Sequence, residues 1–425
     1  MLTMQLRSAH HGAKRSRARN VRHRWLVTVG LIVGFSAPAP PAAICAERSP
    51  SSPPYDHRTT DATAPSAASF LCGVTAKDVA EFPPEFSSGS EPTAVIIARF
   101  QGQWMVPMAE RKVRKVMRQV NDWYEEVSHG QTRFDYDLYS GVTVPFPFSC
   151  KFDADDAVIE AADPLIDYTQ YDRLMLFFPG PFIGVECAFG GYSSVGKRTI
   201  RTEDGTIRAS VSVMNTAGLP FSPIATRSTI HEFGHALGLY HANGWDCGDD
   251  PLEGPCRSIE YGNAFDIMGE PGGLVPPALA LPHFSPGFKV QLGWLPEDAV
   301  LDVEPPGGRY MLAPLEPPAH EVDPPQALRI ARGEEGEAFY VEFRQPIGVD
   351  QRIRSPKRTY SGVLINLISS GAKPSQLINA RPERGHFGKA AWIIGQSLED
   401  SRWGIRITPI ALHDQGIEVE VEFGP

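Results

Sequence analysis

The most constraining stretch of this sequence runs from His231 to His241 and reads HEFGHALGLYH. Residues four apart lie on one face of a helix, so His231 and His235 can present their imidazoles to a single ion. Glu232 lies beside them, close enough to handle a proton on a water molecule at the metal without being a ligand. Gly238 can adopt the left-handed conformation that ends the helix, which makes His241 a third ligand. Three protein ligands leave a fourth position open, as in catalytic rather than structural zinc sites.

The residues around this motif also favour a helix that is packed on one side. Ser222 and Pro223 offer an N-cap and a first-turn proline. Ile230, Phe233 and Leu237 form an apolar face that points away from the ligands. The short HExxH pattern occurs by chance in many chains, whereas the five matched positions together indicate a metal site.

A second motif follows at Tyr261 to Gly269, which reads YGNAFDIMG. Together with the extended histidine motif it resembles the metzincin metallopeptidases, in which a methionine-containing turn lies beneath the zinc. The residues around it are similar to the gametolysin-like branch and to the related bacterial immune-inhibitor-type secreted peptidases. The resemblance implies that Met268 is the methionine of this turn. It assigns no tyrosine ligand, because Glu270 stands where some members carry a tyrosine that can contact the metal.

The first 46 residues have the three-part pattern of a signal peptide. Basic residues precede an apolar run from Trp25 to Phe35, and small residues follow up to Ala46. The run is short for a membrane span, although an uncleaved anchor is the alternative. Removing this segment and its seven positive charges would change the formal charge from -10 to -17. So acidic a protein is expected outside the cell, without nucleic acid as a partner and without stable membrane insertion.

The six cysteines fit an exported protein. Cys247 and Cys256 flank a short acidic loop and are the expected disulfide, and Cys150 with Cys187 is a second candidate pair. Cys72 would then be left over once Cys45 is removed with the signal peptide. It lies in residues 47–90, a Ser, Pro and Thr rich segment that we interpret as a disordered linker or a short propeptide.

Cys72 has a second interpretation. Its CGV context weakly resembles the cysteine switch of matrix-type metzincins, in which a propeptide thiolate occupies the open zinc position and keeps the enzyme latent. The arginine before the cysteine and the proline after Gly-Val are missing here. An ordinary disulfide or a buried thiol remains the alternative.

Residues 91–295 alternate between strand and helix patterns. Thr93 to Phe100 and Leu174 to Phe178 are apolar runs typical of buried strands. Apolar residues recur at helical spacing from Val113 to Val127, and Asp155 to Leu165 indicates a second helix. The pattern predicts an α/β (α+β) catalytic domain with a mixed sheet and an active-site helix, the arrangement that the metzincin resemblance also implies.

A further strand is expected just before the zinc helix, and it comprises Ala209, Ser210, Val211, Ser212, Val213 and Met214. In metzincins the edge strand ahead of this helix holds extended substrate by backbone pairing, and this segment matches that strand in position. The alternative is an interior strand that does not contact substrate.

Two loops near the motif have more than one interpretation. Asp246, Asp249, Asp250 and Glu253 could bind Ca²⁺ through their oxygens or form a solvated turn. The Gly and Pro rich stretch from Glu270 to Pro286 would line the substrate pocket by resemblance, and we interpret His283 within it as a loop residue rather than a ligand.

Residues 296–425 predict an all-β sandwich. Short runs such as ALRIAR, AFYVEFR and GVLINLI follow one another, and Ile417 to Phe423 alternates apolar residues with glutamates. No catalytic pattern occurs there. This domain is expected to pack against the protease or to bind an external polymer.

The sequence therefore predicts a secreted, monomeric zinc endopeptidase that acts on protein or peptide substrates, with Glu232 as general base and Met268 beneath the ligands. A zinc hydrolase of a non-peptide amide would use the same metal chemistry. A catalytically silent surface-binding protein, with the C-terminal domain doing the binding, is the alternative from a different class. The intact Glu232 argues against it, since such a protein needs no general base.

Overall fold

The apolar patterns of the sequence become helices and strands of several mixed sheets. The computed structural model describes residues 87–90, 92–150, 153–181, 189–217, 222–270, 280–333, 336–353, 356–369, 374–382 and 387–424. All of them belong to one compact unit. The expected signal peptide and nearly all of the expected linker lie outside the described residues.

Among the described residues the α-helices are fewer than the strands. They are α1 (Glu110–Val127), α2 (Ala154–Ala162), α3 (Ser222–Ala236), α4 (Pro286–Gln291) and α5 (Pro356–Thr359). The strands are β1 (Gly89–Ser90), β2 (Thr93–Phe100), β3 (Thr132–Arg133), β4 (Tyr136–Val144), β5 (Arg173–Phe178), β6 (Gly191–Ser193), β7 (Arg198–Thr202), β8 (Gly205–Asn215), β9 (Ala242–Asp246), β10 (Arg257–Ile259), β11 (Val300–Asp302), β12 (Gly307–Leu312), β13 (Ala327–Arg332), β14 (Glu337–Phe343), β15 (Gly362–Ser369), β16 (Ser375–Ile378), β17 (Trp392–Ile393), β18 (Leu398–Asp400), β19 (Ile405–His413) and β20 (Gly416–Phe423).

The first sheet has the order β4-β2-β5-β8-β6, with β7 also paired to β8. Strands β4, β2, β5 and β8 run parallel, and β6 and β7 are antiparallel to β8. The strands predicted at 93–100 and 174–178 are confirmed as β2 and β5, and the first predicted helix is confirmed as α1.

Both faces of this sheet are buried, which explains the continuous apolar runs of its central strands. Val95 and Ile97 of β2 contact one core cluster, which also contains the apolar sides of α1 and α3. Ala94 and Ile96 contact a second cluster on the opposite face, where α2 packs. The sheet therefore lies between helices, and α3 is held on the face that it shares with α1.

A second, larger sheet has the order β10-β9-β16-β15-β14-β13-β11, with β17 also paired to β15. It combines β9 and β10, which come shortly after the histidine motif, with strands that lie beyond residue 300. Strand β9 pairs in parallel with β16. The segment that follows the last histidine is therefore fixed by a strand from far along the chain.

A four-stranded sheet has the order β12-β20-β19-β18. Ile417, Val419 and Val421 of β20 are buried, as their alternation with glutamates predicts. They share a core cluster with Ile330 of β13 and Val341 of β14, so this sheet packs against the larger one. The strand content predicted for this part of the chain is confirmed. Among all described helices, none has the length and apolar character needed to cross a membrane.

Helix α4 carries a lysine in an unusual place. The Lys289 side chain is fully buried, and its Nζ has no hydrogen-bond partner among the described residues. Burial, with a smaller contribution from the nearby positive charge of Arg344, lowers the pKa of Lys289 to about 7. Glu316 and Asp350 oppose this shift.

We expect the Lys289→Met substitution to change how stability depends on pH. Lys289 loses its proton near pH 7 in the folded protein and near pH 10.5 in the unfolded chain. Its contribution to the free energy of unfolding therefore rises between these values, by up to about 1.4 kcal/mol per pH unit. Urea unfolding across this range should show that the substitution removes this part of the rise. The exposed control Lys112→Met should keep the wild-type profile, and parallel profiles for wild type and Lys289→Met would contradict the expectation.

Candidate metal centre

Helix α3 places His231 and His235 one turn apart on a buried face. The helix is fixed from behind by aromatic side chains. The Tyr124 hydroxyl donates to the Ile230 carbonyl at 2.8 Å, and the Phe233 ring stacks on Phe134 with centroids 4.1 Å apart. The two imidazoles are therefore held by the same core that supports the first sheet.

The chain turns sharply where α3 ends. Gly238 has a φ of 94°, which a residue with a side chain rarely adopts. Its N–H donates to the His235 carbonyl at 2.8 Å, and the Leu239 N–H donates to the Gly234 carbonyl at 3.1 Å. The turn directs His241 back toward the helix, as the spacing of the motif predicts.

The three histidines converge. One ring nitrogen from each of His231, His235 and His241 lies within 4.8 Å of the others, and all three side chains are buried. The Nε2 atoms of His235 and His241 are 3.1 Å apart. This is the only such group of histidine, cysteine or acidic side chains that the described part of the chain contains.

The other nitrogen of each ring has an acceptor. Nδ1 of His231 lies 3.0 Å from the Ile267 carbonyl, and Nδ1 of His235 lies 2.8 Å from the Leu239 carbonyl. Nδ1 of His241 lies 2.8 Å from a carboxylate oxygen of Glu260. These acceptors place a proton on every Nδ1, so each Nε2 offers a lone pair to the shared point.

A cation fits this arrangement. Two acceptor nitrogens that face each other at 3.1 Å without a proton between them repel unless a positive charge lies nearby. Burial lowers the pKa of His231 well below its ordinary value and lowers that of His235 to about 3, which keeps both rings neutral. A set of three imidazoles suits zinc and several other transition metals. The histidine group can therefore bind a metal ion.

Glu232 is buried next to the histidines. Its side chain is 5% exposed, and no described residue gives its Oε2 a hydrogen bond. Burial raises the pKa of Glu232 well above its ordinary value. The edge of the first sheet lies close by, since a Cβ added to Gly191 would be 2.8 Å from Oε1 of Glu232.

The turn that contains Met268 supports two of the histidines. Its Ile267 carbonyl accepts from His231, and the Met268 carbonyl accepts from the N–H of Ala242, directly after His241. The Met268 sulfur fills the space over Gly234, where an added Cβ would be only 2.3 Å away. This glycine between the ligands therefore leaves room for the Met268 side chain, which lies against the histidine helix.

A buried guanidinium holds the same turn from below. Arg344 follows β14, is fully buried, and forms ion pairs with Glu342 and Asp350. Its Nη2 also donates to the carbonyls of Phe265 and Phe284, both at 3.3 Å. The turn is thus attached to the second sheet through one side chain.

A second attachment runs through two asparagines. The Asn263 amide donates to Oδ1 of Asn366 at 3.1 Å, and the Asn366 amide donates to Oε1 of Glu342 at 2.8 Å. Asn263 belongs to the YGN motif, whereas Asn366 lies on β15. Asn263, which the sequence could match only by resemblance, therefore has an identifiable structural contact.

The edge position expected for residues 209–214 is wrong. These residues lie in β8, which pairs with β5 on one side and with β6 and β7 on the other. All six side chains, Ala209, Ser210, Val211, Ser212, Val213 and Met214, are buried. Among the described strands β6 forms this edge, and the alternative of an interior strand matches β8. A strand buried on both faces has the same apolar sequence in either place.

The acidic loop after the motif is closed by the disulfide Cys247–Cys256, as predicted. Asp246 accepts from the Gly248 N–H and pairs with Arg257. Asp250 accepts from the N–H groups of Leu252 and Glu253. These carboxylates serve the turn itself, which favours the solvated-turn interpretation over a Ca²⁺ site.

The structure describes only some of the remaining predicted residues. His283 is a buried loop residue whose N–H donates to Asp350, so it does not belong to the histidine group. Cys150 is disulfide-bonded to a partner outside the described residues. Cys72 and Cys187 also lie outside them.

No sequence pattern predicted three residues of the site, Glu260, Gly191 and Arg344. Glu260 directly precedes the YGN motif, but the sequence around it does not distinguish it from the acidic residues of the preceding loop. Gly191 and Arg344 reach the site only through long-range packing, for which a single sequence has no signal.

No known family profile and no curated protein matches this sequence. Among solved structures, metalloproteinase-II from Bacteroides fragilis is similar, with a TM-score of 0.31 and 12% sequence identity. The alignment covers 52% of this chain and 55% of that protein, so the chain spans about half of its length. So distant a likeness carries no functional assignment.

We expect the Arg344→Met substitution to destabilise the protein strongly. It would leave the carboxylates of Glu342 and Asp350 buried without their partner, which typically costs about 3–5 kcal/mol. The free energy of unfolding, measured in urea, tests this. Arg309→Met is the matched control, because Arg309 forms an exposed pair with Glu420, and exposed pairs contribute little to stability. Equal effects of both substitutions would contradict the expectation.

Proposed function

We propose that this chain is a zinc-dependent endopeptidase of the metzincin type, similar to the gametolysin-like branch. One observation carries the proposal: three imidazoles direct their Nε2 atoms to one point next to Glu232, a buried carboxylate whose Oε2 has no hydrogen-bond partner among the described residues. A structural metal site would have no use for that carboxylate.

Nε2 atoms of His231, His235 and His241 would hold the ion. When bound, zinc supplies Lewis-acid chemistry that polarises a carbonyl and lowers the pKa of a water molecule. Glu232 removes a proton from the attacking water and delivers it to the leaving amine. Met268 supports the ligands through Gly234 and takes no part in proton transfer.

Strand β6 is the proposed binding edge for extended substrate. It is the last described strand on its side of the sheet, so its outer backbone groups can pair with a peptide. Gly191, its first residue, lies next to Glu232. A peptide paired with β6 would therefore place its backbone beside the proposed general base.

The proposal includes the organisation of the chain: a signal peptide at 1–46, a linker or short propeptide at 47–90, a catalytic domain at 91–295 and a β-sandwich at 296–425. The packing of the four-stranded sheet against the larger one supports the sandwich. The disulfide Cys247–Cys256 supports export, since such bonds persist in oxidising compartments. The substrates would be extracellular or cell-wall proteins.

We expect the purified full-length protein to cleave denatured casein, to contain one zinc per chain, and to lose activity on chelation. Glu232→Gln should retain zinc and lose turnover by about 100-fold or more, because the amide cannot accept the proton. Zinc analysis and peptide release on the same samples measure both effects.

An active Glu232→Gln protein would contradict the role of Glu232. Zinc content without cleavage of casein, combined with hydrolysis of a glycan amide, would favour the hydrolase of non-peptide amides. Zinc content with tight binding of cell-wall material but no hydrolysis would favour the surface-binding alternative.

We expect Gly191→Ala to lower kcat/KM by about 10- to 100-fold, since its methyl group would displace the Glu232 carboxylate from the reacting atoms. Zinc content should be unchanged. Gly190→Ala is the matched control, because no atom of the described residues lies within 4 Å of a Cβ added there. Equal activities of the two variants would show that the edge strand does not constrain Glu232.

A further inference from the structure

A β-hairpin connects the third histidine to a glutamate. His241 directly precedes β9, and Glu260 directly follows β10. The strands are antiparallel, with Asp246 opposite Arg257 and Gly244 opposite Ile259. One more step along this register brings Glu260 opposite Asn243, two residues after His241, so the hairpin brings Glu260 close to His241.

Both ends of this hairpin are fixed. The disulfide Cys247–Cys256 and the pair between Asp246 and Arg257 close its far end. At its base, the Tyr261 N–H donates to Oδ1 of Asn243 at 3.0 Å. The position of Glu260 therefore follows from the hairpin and does not depend on a mobile loop.

The imidazole ring of His241 is contacted both at its edge and on its face. Oε1 of Glu260 lies 2.8 Å from Nδ1, at the edge of the ring. The Tyr261 ring covers the face, with centroids 3.9 Å apart. Tyr261 has a φ of 59°, an uncommon value for a residue with a side chain. In this conformation the side chains of Glu260 and Tyr261, which are neighbours in the sequence, both contact the His241 imidazole.

The Glu260 contact differs from those of the other two histidines. His231 and His235 donate to neutral main-chain carbonyls, whereas His241 donates to a carboxylate. A carboxylate is a stronger acceptor, and it makes the imidazole a better electron donor to a metal. His241 also lacks the helix that orients the other two rings.

We propose that Glu260 is the positioning residue for the third metal ligand. It keeps the proton of His241 on Nδ1, orients the ring so that Nε2 faces the other two histidines, and thereby increases affinity for a zinc-like divalent ion. The inference rests on the proposed metal centre but not on peptidase activity.

Zinc affinity of the full-length protein tests this, measured by competition with a chromophoric chelator. We expect Glu260→Ala to bind zinc 10- to 100-fold more weakly than wild type, the usual effect of losing such a partner. Glu260→Gln should lie between the two, because its amide oxygen still accepts from Nδ1. Glu125→Gln, a substitution of an exposed glutamate on α1, should bind as wild type does.

The visible absorption spectrum of the cobalt-substituted protein gives a second readout. A merely structural role for Glu260 would leave this spectrum unchanged, whereas a reoriented His241 ring changes the ligand field. The metal-free Glu260→Gln protein should retain the wild-type circular dichroism and melting temperature. Wild-type zinc affinity in Glu260→Ala would overturn the inference. Failure of the wild-type protein to bind zinc would instead overturn the metal centre itself.

Discussion

An imidazole can offer a lone pair to a metal only if its proton is held on the other nitrogen, and this requirement accounts for much of the site. Three acceptors satisfy it: the Ile267 carbonyl in the turn, the Leu239 carbonyl at the helix end and the Glu260 carboxylate at the hairpin base. Each segment is in turn fixed by packing. Because the loop between β10 and Met268 carries two of the three acceptors, its position determines how two of the three imidazoles are oriented.

That loop depends on charges buried far from solvent. Arg344, Glu342 and Asp350 have almost no exposed surface, and charges removed from water are costly unless they pair closely. Here they are paired, and the remaining donors of Arg344 bind main-chain carbonyls on either side of the site. The second sheet is thus part of the framework beneath the histidines. A domain that only bound an external polymer would not need to support the histidines in this way.

The sequence predicted what short-range spacing determines. His231, His235 and Gly238 lie within one helix and its end, so helical geometry alone brings them together. Met268 was found because its turn follows a recognisable motif. Residues 209–214 were placed at an edge by resemblance to the metzincins, and their apolar pattern could not correct this, because interior and edge strands share it when both faces are buried. Strands β9 and β10 were missed because ANGWD and RSI show little alternation, and their pairing with β16 depends on a segment far along the chain.

The parallel pairing of β9 with β16 also bears on biosynthesis. The histidine motif is translated long before Ser375–Ile378, and bringing such distant segments together carries an entropic cost that short-range contacts avoid. A ribosome-bound chain therefore contains all three histidines and β10, but it lacks β16, the other strand that pairs with β9, until residue 378 has been added. The segment after His241 thus lacks one of its two partner strands until most of the polypeptide exists.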